Sequence, residues 1–236
     1  MYGSLFCRLY NEFGWNEYPR AFGAQLLEWL ARHDAATRTA VDLGCGTGVL
    51  CDALRAGGLE ARGVDLSEDM IAIARRQYPE IRFDVGDMTA WRPETRCDLI
   101  TCTGDALNHI ADPEDVSRVF ENVHAALNDG GYFVFDLLDP AEVPEGEPFE
   151  ADDAEGRRVR FQADRSGASI RLRVEVREGG GPGFDETILE YLHDPDDVTA
   201  RLERAGFEIV QCADQLLTDS DAHGTTWFIV ARRAKG

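Results

Sequence analysis

Apolar residues recur at helical spacing in two stripes near the start of the chain: Leu5, Leu9 and Phe13, then Phe22, Leu26, Leu27 and Leu30. This periodicity predicts helix through much of residues 4–34, with Pro19 near the start of the second stretch, where its missing N–H costs nothing. Short apolar runs then alternate with amphipathic stretches. Residues 39–43, 59–65, 81–85, 98–103 and 132–138 read as strands. Residues 49–55 read as a helix stopped by Gly57-Gly58. Ser67, placed three residues before Met70, reads as the N-cap of a helix that runs to Tyr78 and ends at Pro79. Asp112-Pro113-Glu114 opens another helix, with Val116, Val119, Phe120 and Val123 on one face, and Asp129-Gly130-Gly131 reads as the turn after it. Strands alternating with helices at this spacing predict a parallel, doubly wound sheet.

The pattern changes after Asp139. Residues 140–157 are rich in Pro, Gly, Glu and Asp and read as a loop. Residues 158–164 and 170–178 alternate apolar with polar, as antiparallel strands do. Gly179 to Gly183 reads as a flexible turn, and residues 184–192 as a third strand. A helix over 195–204, Gly206, and strands over 207–212 and 225–231 close the chain.

Its 236 residues suit one domain with a subdomain insertion. No apolar run is long enough to span a bilayer, and the first residues lack the pattern of a secretory signal. The 44 Asp+Glu outnumber 24 Lys+Arg, a formal charge of −20. A phosphate-backbone binder shows a basic face, so this balance argues against nucleic acid and suits a solvated surface. The six cysteines form neither a C-x-x-C pair nor a zinc-ligand pattern, and are expected to be reduced thiols of a cytoplasmic protein.

The chemistry concentrates at three strand ends. Gly44-Cys45-Gly46-Thr47-Gly48 follows the first strand and leads into a helix, the arrangement that brings backbone N–H groups to a ligand. The dinucleotide fingerprint needs its third glycine at Val49, and a P-loop needs a following Gly-Lys; neither is present. Asp42 precedes the glycines, where a carboxylate suits a ligand bearing a cation. Asp65 ends the second strand, where a carboxylate accepts ribose hydroxyls. Asp87 follows the third strand, where it can accept from an exocyclic amine while the Met88 N–H meets an adenine edge.

Residues 41–48, 63–67 and 86–88, with the fourth-strand run 97–103, resemble the successive motifs of class I S-adenosylmethionine-dependent methyltransferases. Ala205-Gly206-Phe207 resembles the turn before that family's last two strands. The resemblance implies an α/β fold: a Rossmann-like, seven-stranded, mostly parallel sheet with helices on both faces, plus a small antiparallel β insertion after the fifth strand. It implies a core over 1–139 and 193–236, with lid helices in 1–34, and an insertion over 140–192 covering the acceptor site. The implied activity is methyl transfer from S-adenosyl-L-methionine, leaving S-adenosyl-L-homocysteine, to a nitrogen or oxygen of a small molecule.

The same resemblance suggests cofactor contacts from Gly44, Gly46, Gly48, Asp42, Asp65, Leu66, Asp87 and Met88, with Met70 and Thr103 as candidates that core packing and the end of the strand, respectively, explain equally well. Tyr10, Tyr18 and Arg20 are the polar or aromatic candidates of the lid, Tyr18 toward the sulfonium and Arg20 toward the cofactor carboxylate. The segment Thr103 to Ile110 lies where the acceptor sits and resembles that of small-molecule methyltransferases, glycine N-methyltransferase among them. It lacks the Asn/Asp-Pro-Pro-aromatic motif of base-amine methylation. His109 is the candidate catalytic residue, as a base or as a positioning group. His193 and His223 read as surface residues, His33 and His124 as structural ones. Arg157, Arg158, Arg160, Arg171 and Arg173 either meet an acidic substrate or form a solvated face with Asp164 and Glu175. Such insertions also build dimer contacts, so a homodimer is an open alternative. No metal is implied. A nicotinamide oxidoreductase, a cofactor-binding regulator, an inactive homologue and a methyltransferase acting on a protein are the competing readings.

Overall fold

The computed structural model describes residues 3, 6–7, 10–12, 14–33, 35–139, 148–152, 157–177, 184–214, 216 and 226–234. The candidate turn at Gly179 to Gly183, the candidate surface residue His223 and the apolar positions Leu5, Leu9 and Phe13 lie outside them.

Five helices carry the labels α1 (Glu17–Arg32), α2 (Val49–Ala56), α3 (Glu68–Gln77), α4 (Pro113–Ala126) and α5 (Pro195–Arg204). The first five strands are β1 (Thr39–Leu43), β2 (Glu60–Asp65), β3 (Arg82–Val85), β4 (Cys97–Cys102) and β5 (Leu127–Leu138). The insertion contributes β6 (Phe149–Asp152), β7 (Arg158–Ser166), β8 (Ser169–Arg177) and β9 (Phe184–Tyr191), and β10 (Phe207–Ala213) and β11 (Thr226–Arg233) follow. The main sheet has seven strands in the order β10-β11-β5-β4-β1-β2-β3. Strands β1 to β5 pair in parallel, while β11 lies antiparallel to both β5 and β10.

Side-chain alternation divides the central strands between two cores. Val41, Leu43, Ile100, Phe133 and Phe135 face α4 and α5, packing against Val119, Phe120, Val123, Val198 and Leu202. Ala40, Leu99 and Val134 face the other way, toward Phe22, Leu26 and Trp29 of α1, Leu50 and Leu54 of α2 and Ile71 of α3. Both faces are therefore buried, as an apolar parallel sheet requires. Each fully buried Leu, Val or Phe here contributes about 1.5–3 kcal/mol.

Local chemistry sets the helix starts. Ser67 Oγ accepts the Met70 N–H, Asp112 accepts the Glu114 N–H, and Asp194 accepts those of Asp196 and Asp197.

Three stretches differ from the sequence expectation. Residues 10–12 and 14–16 form turns, so α1 begins only at Glu17. The loop over 140–157 contains a short strand, β6, that pairs with β7 and completes a four-stranded sheet ordered β6-β7-β8-β9. Strand pairing supplies there what composition opposes. Strand β5 begins at Leu127, and Asp129-Gly130-Gly131 lies inside it, with Gly130 at φ 79° and a register shift between Cys97 and Leu99 on the neighbouring strand.

Candidate active site

Strand order reverses at β1, which lies between β4 and β2. A crevice outside the carboxyl ends of the strands opens at such a switch point. One cavity of about 430 Å³ occupies it. Its wall comes from the ends of the first four strands and the segments after them: Asp42 and Gly44 to Thr47, Asp65 to Ser67, Gly86 to Thr89, and Thr103, Gly104, Ala106, His109 and Ile110. Tyr10 and Pro19 contribute from the N-terminal segment, and Thr187, Ile188, Leu189 and Tyr191 from β9.

The glycine loop is shaped by backbone geometry. Gly44, Gly46 and Gly48 have φ of 72°, 52° and 84°, the left-handed region that β-carbons disfavour. A Cβ on Gly48 would lie 2.6 Å from Phe83 Cζ, whereas one on Gly46 would meet nothing within 4 Å. Gly48 is thus required by packing and Gly46 by the approach of backbone to cavity. Val49, where a dinucleotide fingerprint would place a glycine, is the first residue of α2 and is buried.

The three strand-end carboxylates are held differently. Asp42 is 3 % exposed; its Oδ1 accepts the Thr101 hydroxyl at 2.7 Å, and burial pushes its pKa up to about 7. Asp65 accepts the Gly46 N–H and the Ser67 N–H, each at 2.8 Å, which ties the glycine loop to the end of β2. Each of its oxygens retains a second lone pair for a ligand hydroxyl. Asp87 is exposed and accepts the N–H and hydroxyl of Thr89, so it caps a turn as well as lining the cavity.

Gly44, Gly46, Leu66, Met70, Met88, Thr103, Tyr10 and His109 all line the cavity. Met70 is also core, packed with Cys7, Ile73 and Tyr10. Gly48 stands just behind the wall. Tyr18 and Arg20 do not line the cavity. The Tyr18 hydroxyl donates to Asp136, and Arg20 is exposed and hydrogen-bonded to Tyr78. On a helix, residues one apart point about 100° from each other, so Pro19 can face the cavity while its neighbours do not.

His109 ends a single 3-10 turn over Leu107–His109. Its Nδ1 lies 3.1 Å from the Leu189 carbonyl oxygen. A carbonyl only accepts, so Nδ1 carries the proton and Nε2 the lone pair of the neutral ring. Burial lowers its pKa, which keeps the ring neutral near pH 7. All three residues of this turn hold β9 or the residues after it. The Leu107 carbonyl meets His193 Nε2 at 3.3 Å, and the buried Asn108 donates to the Tyr191 carbonyl at 2.8 Å while accepting the Leu138 N–H at 3.1 Å. His193 is accordingly buried, at 8 % exposure, rather than on the surface as its sequence context suggests. His33 stacks on Trp29 and His124 packs edge-on against Phe207.

The insertion's arginines stay away from the cavity. Arg157 pairs with Glu12 at 2.7 Å, Arg171 is opposite Asp164 across the sheet, and Arg171 and Arg173 are exposed. No sequence pattern points to a group behind the acceptor loop. Asp136, at the end of β5 and fully buried, accepts the Gly104 N–H at 2.9 Å and the Asp105 N–H at 3.1 Å as well as the Tyr18 hydroxyl. Among the described residues no group of three or more His, Cys, Asp or Glu could hold a metal ion, and no helix is long and apolar enough to cross a membrane.

Comparison with known proteins gives this arrangement its relatives. A methyltransferase-domain family matches residues 14–212. A curated relative, the dTDP-4-amino-2,3,4,6-tetradeoxy-D-glucose N,N-dimethyltransferase of Saccharopolyspora spinosa, is 30% identical over 173 residues, 70% of each chain. A putative methyltransferase of Geobacillus is 31% identical over 134 residues; the match takes in 55% of this chain and about half, 53%, of that protein. Among solved structures, S-adenosylmethionine-bound CalS10, an amino pentose methyltransferase from Micromonospora echinaspora, superposes with a TM-score of 0.79 at 23% identity, covering 99% of this chain and 98% of that one. At that identity the likeness is one of fold.

Proposed function

The chain belongs to the class I S-adenosylmethionine-dependent methyltransferases, and from that premise we propose that it moves a methyl group to a nitrogen or oxygen of a small molecule by in-line displacement. The observation that carries the reading is the convergence of four strand-end segments on one cavity that β9 roofs. A roofed cavity of about 430 Å³ suits a small acceptor better than a protein surface. Two relatives whose names specify amino-sugar substrates point the same way.

The residues fit the cofactor. Gly46 leaves open space where a side chain would intrude, and the Asp65 oxygens can accept ribose hydroxyls. Asp87 and the Met88 N–H suit the adenine edge. Asp42 suits the amino group, and Tyr10, Met70 and Thr103 flank the methionyl portion. Leu66, 52 % exposed at the cavity mouth, offers an apolar cover. When bound, the cofactor supplies an electrophilic methyl carbon. The protein aligns the nucleophile with it and excludes water, which supplies on the order of 7–11 kcal/mol in well-oriented reactions. His109 is assigned as the group that takes the acceptor's proton through Nε2. The core over 1–139 and 193–236 carries the cofactor, the N-terminal segment closes it, and the insertion over 140–192 covers the acceptor.

The test is transfer of radiolabelled methyl from S-adenosylmethionine to a small-molecule panel by the wild type and by His109→Ala. The reading expects kcat to fall roughly 10²–10⁴-fold with cofactor affinity unchanged. Unchanged kcat would remove His109 from the chemistry, and label appearing only in added protein would replace the small acceptor.

A further inference from the structure

Behind the acceptor loop lies a hydrogen-bond centre that the proposed function leaves unused. Side chains alternate along β5, so Phe135 and Leu137 face α4 and α5 while Val134 and Asp136 face α1. Asp136 is fully buried there and pairs in register with Phe228 of β11. Phe228 stacks on Phe22 of α1 with ring centroids 5.7 Å apart, and Phe22 stacks on Tyr18 at 6.1 Å. This stack seats the first half of α1 on the sheet and sets the Tyr18 hydroxyl on Asp136. Pro19, the next residue, lines the cavity.

The other two donors to Asp136 are backbone N–H groups: that of Gly104 at 2.9 Å from Oδ2, and that of Asp105 at 3.1 Å from Oδ1. Gly104 and Asp105 are consecutive left-handed residues, with φ of 72° and 62°, and Asp105 is the one non-glycine residue at positive φ among those described. A strained backbone of this kind persists only where its surroundings impose it. Asp136 meets that need, since each of its oxygens takes one of the two N–H groups. The conformation is passed on. The Asp105 carbonyl accepts the Asn108 N–H at 2.9 Å and so starts the turn that ends in His109. One carboxylate therefore joins the N-terminal helix, the cavity wall at Gly104 and the turn that carries His109.

Taking His109 as the proton acceptor of the proposed methyl transfer, we propose that Asp136 is a positioning residue for it, and that the Tyr18 hydroxyl makes the shape of the acceptor loop depend on α1 being seated. Neither Tyr18 nor Asp136 lines the cavity. Tyr18 acts through Asp136, and Asp136 acts through the Gly104-Asp105 backbone. Closure by the N-terminal segment and alignment of His109 with the acceptor are thereby joined in one event.

The experiment uses the full chain with Tyr18→Phe, with Asp136→Asn, and with Tyr18→Phe combined with Asp105→Gly. Tyr18→Phe keeps the ring stack and removes one hydroxyl, so it carries the test where Asp136→Asn fails to fold. Two readouts are taken. One is methyl transfer from labelled S-adenosylmethionine to the best acceptor of the small-molecule panel. The other is heteronuclear NMR of the His109 ring nitrogens in protein saturated with S-adenosylhomocysteine. Tyr18→Phe is expected to lower kcat about tenfold and Asp136→Asn about 10–100-fold, with the S-adenosylhomocysteine dissociation constant within about threefold of wild type. In both variants the His109 ring is expected to leave the single Nδ1–H tautomer for a mixture of the two, although no atom of the ring or of its Leu189 partner has been replaced. Asp105→Gly takes the left-handed conformation without strain, so it is expected to restore part of the kcat lost in Tyr18→Phe. A purely structural Asp136 would cost stability alone. Folded variants with wild-type kcat, kcat and S-adenosylhomocysteine affinity falling together, an unchanged His109 spectrum, or no recovery by Asp105→Gly would each overturn the proposal. The His109 spectrum needs no acceptor, so it decides the matter even where the panel yields none. Failure of the wild type to bind S-adenosylhomocysteine would instead sink the methyltransferase reading beneath it.

Discussion

Gly46 and Gly48, two positions apart in one loop, should respond differently to alanine. At Gly46 the φ is 52° and a Cβ would meet nothing within 4 Å. Gly46→Ala should cost only the left-handed backbone penalty, about 1–2 kcal/mol. Its N–H to Asp65 survives, since alanine keeps that donor. The new methyl enters the space beside the cavity wall, so affinity for S-adenosylhomocysteine should fall at least ~10-fold, equivalent to about 1.4 kcal/mol. At Gly48 the same φ penalty applies, but the Cβ would lie 2.6 Å from Phe83 Cζ and 3.2 Å from Ala74 Cβ. Phe83 is 2 % exposed and has no room to turn aside. Overpacking adds about 1–3 kcal/mol, for a total near 2–5 kcal/mol. Urea unfolding measures the first quantity and titration calorimetry the second. Gly46→Ala protein that binds S-adenosylhomocysteine like the wild type would refute the assignment of the loop to the cofactor. Equal destabilisation by the two substitutions would refute the packing argument.

Three further outcomes follow from the site. Asn108→Ala removes two buried hydrogen bonds and leaves the Tyr191 carbonyl and Leu138 N–H to solvate themselves, so urea unfolding should show a loss of about 2–4 kcal/mol; a change under 0.5 kcal/mol would mean that the 3-10 turn does not hold β9. Asp42 has its pKa raised from 3.8 to about 7, so the folded protein binds that proton more tightly than the unfolded chain. The associated stability is full below pH 3.8 and lost as pH rises through 7; the unliganded protein should therefore be more stable at pH 6 than at pH 8, and Asp42→Asn should shrink that difference. Asp65→Ala should weaken S-adenosylhomocysteine binding while circular dichroism and the cooperative transition stay intact, and undiminished affinity would contradict the ribose assignment.

Much of the architecture was legible because it rests on local signals. Apolar runs, Ser67 and Asp112 as caps, and Gly57-Gly58 as a stop placed most strands and helices of the main sheet within a residue or two, although β5 starts five residues earlier than its apolar run, at Leu127. The cofactor wall was legible for a related reason: a doubly wound sheet puts successive strand ends on one edge, so Asp42, Asp65 and Asp87 meet once the strands are found. What escaped depends on contacts between distant segments. Strand β6 forms in a Pro- and Glu-rich stretch only because β7 offers it a ladder. His193 is buried because Leu107, 86 residues away, accepts from it. Arg20 and Tyr18 were assigned to the cofactor by type, but helix phase turns them from the cavity. The support that Asp136 gives the acceptor loop is invisible in sequence, since it depends on hydrogen bonds from Gly104 and Asp105 to a strand more than 30 residues on.

The central claim is that the glycine loop and its strand-end carboxylates hold S-adenosylmethionine. Calorimetric titration of the folded protein with S-adenosylhomocysteine, beside a parallel titration with NADH, tests it most directly. The account predicts saturable one-to-one binding of the former and none of the latter. Binding of NADH alone, or of neither by protein shown to be folded, would contradict it.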